Sequence, residues 1–154
     1  MGRKAVWIGS TIAFVGIVSF GLWLFSNLFV IDESSGTEAI AEFQHLTKTP
    51  AEAMSALSAS NAHFLIEGWG IDSSFFFRFQ TNQDFINTFV AQHQLELTPN
   101  EARPCQNIVA HGPMRLWWNV WIHPSSQCYI SYEGDLYHLL FDPKSGTMFL
   151  YIVD

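Results

Sequence analysis

The stretch Tyr137–Val153, YHLLFDPKSGTMFLYIV, decides the fold. Two β-prone runs, Tyr137 to Phe141 and Thr147 to Val153, flank Asp142-Pro143-Lys144-Ser145-Gly146, where Asp, Pro and Gly are turn formers. The pattern predicts an antiparallel hairpin. It is not a phosphate loop, because the glycine spacing and the following helix that such a loop needs are both missing.

Working upstream, Cys128 to Tyr132 predicts a third strand joined through Glu133-Gly134-Asp135. Met114 to Ile122 is aromatic and bounded by Gly112-Pro113 and Pro124-Ser125-Ser126, which predicts a fourth. His63 to Trp69 and Ser73 to Gln80 predict a further pair around a turn containing Gly68 and Gly70, with Phe75, Phe77 and Phe79 on one face.

Helical signals lie between and before these strands. Glu38 to Leu46 places Ile40, Phe43 and Leu46 on one side, and Thr49-Pro50-Ala51-Glu52 opens a short helix through about Ser58, with Met54 and Leu57 inward. Thr81-Asn82-Gln83-Asp84 opens a third, in which Phe85, Ile86, Phe89, Val90 and His93 recur at helical spacing. Thr98-Pro99-Asn100-Glu101 marks one further turn that Pro104 should stop. The expected class is α+β, an antiparallel sheet with two or three short helices on one face.

Ahead of all this, Ala5 to Ile31 runs for 27 residues without an ionisable side chain. As a helix it would reach about 40 Å, against a hydrocarbon core of about 30 Å. Arg3 and Lys4 precede it and Asp32 and Glu33 follow it, which favours a cytoplasmic N-terminus. A cleaved signal peptide would carry a shorter apolar run, and Ala39-Ile40-Ala41 lies well past its end. The expected organisation is a transmembrane anchor over 1–31, a polar linker over 32–37 and an extracytoplasmic domain over 38–154. Gly9, Ala13 and Gly16 form a small-residue face on which another helix could approach.

Beyond the span stand all 14 acids against five bases, Lys48, Arg78, Arg103, Arg115 and Lys144, for a formal charge of −9. Such a surface repels phosphate backbones and anionic headgroups, so nucleic acid is excluded as a partner. Cys105 and Cys128 are the two cysteines and are expected to pair, since a disulfide persists in an oxidising compartment.

No catalytic, metal or cofactor motif emerges from six scattered histidines. The least unfavourable enzyme reading groups Cys105 with His111 or His123 and Asp135 as a thiol site. More informative is the aromatic surplus. Met114 to Ile122 and Met148 to Val153 are apolar on both faces, so Trp117, Trp121, Phe149 and Tyr151 are expected to form an aromatic contact face unless the 38–46 helix and loops cover it. The functional expectation is a bilayer-anchored, non-enzymatic interaction domain, an accessory subunit or inhibitor with a membrane or extracytoplasmic protein partner. The alternatives are the thiol enzyme and a module that stacks flat ligands on its tryptophans.

Overall fold

The computed structural model describes residues 29–69, 72–131 and 136–153. Seven antiparallel strands, β1 (Phe29–Ser35), β2 (Ser58–Trp69), β3 (Asp72–Gln80), β4 (Glu96–Thr98), β5 (Gln127–Ile130), β6 (Leu136–Asp142) and β7 (Thr147–Val153), form one sheet in the order β1-β2-β3-β7-β6-β5-β4. Helices α1 (Thr37–Thr47), α2 (Ala51–Met54), α3 (Gln83–Gln92) and α4 (Arg103–Ala110) complete an α+β fold.

The β6–β7 hairpin forms as expected, with Leu139 opposite Leu150 and Phe141 opposite Met148. Its turn is locked by Asp142, whose carboxylate accepts from the Lys144 amide (3.1 Å) and the Ser145 hydroxyl (2.7 Å), while Gly146 takes a φ of 65° that disfavours a side chain. β7 lies between β3 and β6 and is buried on both faces, which explains its lack of alternation.

One face carries the larger core. Phe43 from α1 meets Phe77 and Phe79 edge-on at 5.3 and 4.9 Å, and Phe85, Ile86 and Phe89 of α3 pack on the same surface with Leu139, Met148 and Leu150. Asn82 caps α3 by accepting from the Phe85 amide at 2.9 Å. At α2 the expected Thr49 cap is absent, because its hydroxyl pairs with Thr47 at 2.7 Å instead.

The opposite face is also covered, which corrects the expectation of helices on one face only. Leu65, Phe76, Cys105, Ile108, Trp118, Cys128, Leu140 and Phe149 form a second core beneath α4 and segment 112–126. Pro104 stands in the first turn of α4 rather than ending a helix, since its missing N–H is tolerated there.

Two further corrections concern β structure. Residues 29–31 and most of the 32–37 linker belong to β1, with Asp32 opposite Ile66 and Glu33 opposite Leu65. An edge strand needs one hydrogen-bonded neighbour and tolerates charge, so its polar sequence concealed it. Met114 to Ile122 is not a strand. Its alternation survives from Trp118 to Ile122, where even positions turn inward, but the segment pairs with no ladder. The aromatic preference there reflects burial against the sheet and not pairing within it.

The rest of the expected span, with Gly9, Ala13 and Gly16, lies outside the described residues. Among those described, no helix is long and apolar enough to cross a membrane.

Candidate functional site

Segment 112–126 is fixed to the second face at three points. Behind it, the Cys105–Cys128 disulfide joins α4 to β5 with Cα atoms 5.9 Å apart and both residues buried. The expected pairing is therefore present, and Cys105 is no free nucleophile.

Trp118 is the second point. Its indole N–H donates to the Ile108 carbonyl at 3.2 Å, and its ring stands edge-on to Phe76 (5.4 Å) and Phe149 (5.3 Å). Gly112 makes this possible, because a Cβ at that position would overlap the Trp118 indole.

Glu33 on β1 is the third. One carboxylate oxygen accepts from the Trp117 indole N–H at 2.7 Å and the other from Arg115 Nε at 2.9 Å. These hydrogen bonds, that from Trp117 foremost, hold the Glu33 carboxyl below its usual range. Trp117 also stacks on His63, with ring centroids 5.1 Å apart and nearly parallel planes.

Between these anchors the chain displays apolar side chains to solvent. Met114 is 97% exposed and Leu116 101%, flanking the Arg115 that is tied to Glu33. Ile31, two residues before Glu33 on the same face of β1, is also exposed. Side chains this open on a backbone tied to β1 make an exposed apolar tip.

Of the four aromatics expected to form a contact face, Trp121 alone is largely open, at 73%. Phe149 is buried under Trp118, Tyr151 is half-buried and stacked on Phe76 at 4.9 Å, and Trp117 is half-buried against His63. The cover comes from α4 and segment 112–126, whereas the 38–46 helix packs on the other face. Met114 and Leu116 were hidden from sequence reading because a strand register turned Leu116 inward.

Trp121 and His123 form a ridge between two clefts. One, of about 450 Å³, is lined in part by Asn100, Gln106 and Val109; the other, of about 340 Å³, in part by Arg78, Asn119, Asp142, Thr147 and Phe149. His111 is exposed and His123 half-buried. Among the described residues no group of three or more His, Cys, Asp or Glu side chains could hold a metal ion.

Two histidines sit deeper. His138 is buried with Nδ1 unpartnered, and His93 is packed on Phe89 at 4.3 Å with Nε2 unpartnered. Burial lowers the pKa of both. His138 is buried in the sheet and His93 half-buried at the end of α3.

No family model, curated protein or solved structure matches the chain.

Proposed function

We propose that this chain is a membrane-anchored, non-enzymatic interaction subunit whose contact surface is the exposed apolar tip of segment 112–126. The observation that carries the proposal is the near-complete exposure of Met114 and Leu116 beside an Arg115 held by Glu33. β1 continues directly from the apolar stretch 5–28, which remains long enough to span a bilayer. Four residues lie between Leu28 and Glu33, so a span ending at Leu28 would hold the tip within about 17 Å of the membrane surface.

The occupant of that tip is a membrane protein with a basic rim. A formal charge of −9 beyond residue 31 repels anionic headgroups and attracts cationic protein surface. The disulfide supports placement in an oxidising, extracytoplasmic compartment. Anchoring raises the effective concentration of the domain around partners in the same bilayer.

The test is purification of the full chain in mild detergent, with identification of stoichiometric partners, beside a Met114→Ser, Leu116→Ser double variant. The proposal expects one membrane protein recovered with the wild type and lost, or reduced at least tenfold, with the variant. Equal recovery from both, or no stoichiometric partner, overturns it.

A further inference from the structure

Arg78 is the polar member of the β3 run Phe75–Phe79, and it projects onto the second face opposite Phe149. Its guanidinium lies over the Phe149 ring, 5.9 Å from the centroid. Among the described residues no carboxylate forms an ion pair with it, and its Nε is buried without a hydrogen-bond partner. Burial lowers its pKa, but a guanidinium stays charged, so the site holds an uncompensated cation. Scarcity of acids is not the cause. The domain carries 14, and Arg115 has recruited Glu33.

The open side of that cation is the 340 Å³ cleft. Arg78, Phe149, Thr147 and Asn119 line it together with the exposed Trp121. At the far end stands Asp142, already engaged by its own turn. Sheet geometry, two strands across and two residues along, puts the Arg78 and Asp142 Cα atoms about 12 Å apart. The volume lies at the small end of ligand sites.

We infer that this cleft is a binding site for a carboxylate carried on a flat, apolar body, with the carboxylate on the Arg78 guanidinium and the body against Trp121. A planar guanidinium fork matches a carboxylate with two parallel hydrogen bonds, and an indole face offers stacking area at little entropic cost. A phosphate dianion fits worse, because Asp142 and the acidic surface oppose a second negative charge. The carboxylate can belong to a free small acid or to the C-terminus of a polypeptide.

Isothermal titration of the full chain in detergent distinguishes these sources. The probes are benzoate, its neutral isostere benzamide, and a short peptide ending in phenylalanine as free acid or amide. Saturable benzoate binding at least tenfold tighter than benzamide, lost in Arg78→Gln and weakened severalfold in Trp121→Ala, is the expected result. A free-acid peptide tighter than benzoate, with its amide inactive, assigns the source to a polypeptide; benzoate alone assigns it to a small acid. Trp121 is exposed, so its variant retains the fold. Benzoate and benzamide binding equally, neither acid binding saturably, or a folded Arg78→Gln variant binding as wild type would each overturn the inference.

Discussion

The Glu33 carboxylate on the first strand accepts a 2.7 Å hydrogen bond from the indole of Trp117, 84 residues further along the chain. That contact and the adjacent Arg115 bridge turn a long irregular segment into a fixed one. Both bridge partners are about one-third exposed, so the pair adds little to global stability. Glu33→Gln is expected to cost less than about 1 kcal/mol in urea denaturation. Amide exchange over 114–118 should nevertheless accelerate clearly, and unchanged protection there would show that the tip is held by other contacts.

Gly112 faces Trp118 with no room for a methyl group. Gly112→Ala must therefore displace an indole packed on Phe76 and Phe149, at a cost of about 1–3 kcal/mol. The loss should appear as a lower denaturation midpoint together with a red-shifted tryptophan emission. An Ala variant as stable as wild type would contradict the seating of Trp118.

Cys105 and Cys128 are 23 positions apart, and both are buried in the smaller core. On the chain-entropy account, opening that loop costs about 3 kcal/mol. The double Cys105→Ala, Cys128→Ala variant is expected to lose about this much in equilibrium unfolding. Reductant should lower wild-type stability and leave the variant unaffected.

Acid should weaken the domain in two stages. His93, His138 and His63 have pKa values lowered from 6.5, with burial the first cause in each. A base with a depressed folded pKa binds fewer protons folded than unfolded. The stability it contributes is complete above about 6.5 and is lost as pH falls below that value. Glu33 is held below 4.5 by its Trp117 and Arg115 hydrogen bonds. Asp142 is held below 3.8 against the opposing effect of burial, by hydrogen bonds from Ser145 and Lys144. Both add a second loss at more acidic pH. Urea midpoints should drop between pH 7.5 and 5.5, and less so in His138→Phe if its buried ring is the main contributor.

Elements governed by local chemistry were legible in the sequence. The turn formers of 142–146 predicted the β6–β7 hairpin, and the Asn82 region with Phe85, Ile86 and Phe89 predicted α3. What failed depended on distant partners. β1 is a strand because Ile66 and Leu65 lie beside it, and Asp32-Glu33-Ser34 carries no sign of that. Trp117, Trp118 and Trp121 share the β propensity of a strand, yet they divide into a hydrogen-bonded stack, a core anchor and an open ridge. Arg78 was visible only as a polar interruption among phenylalanines, since the lack of an ion pair with any described carboxylate is a property of three-dimensional arrangement.

The place of β7 between β3 and β6 has a kinetic consequence for biogenesis. Gln80 pairs with Thr147 and Ser74 with Val153, so the sheet cannot close until residues 147–153 have been made. At ribosomal speeds of about 5–20 residues per second, β3 waits roughly 3–15 s for its neighbour. Throughout that interval an edge bearing Phe75, Phe76, Phe77 and Phe79 stays open to other chains. Until residues 147–153 emerge, that edge is where misassociation with other chains would begin.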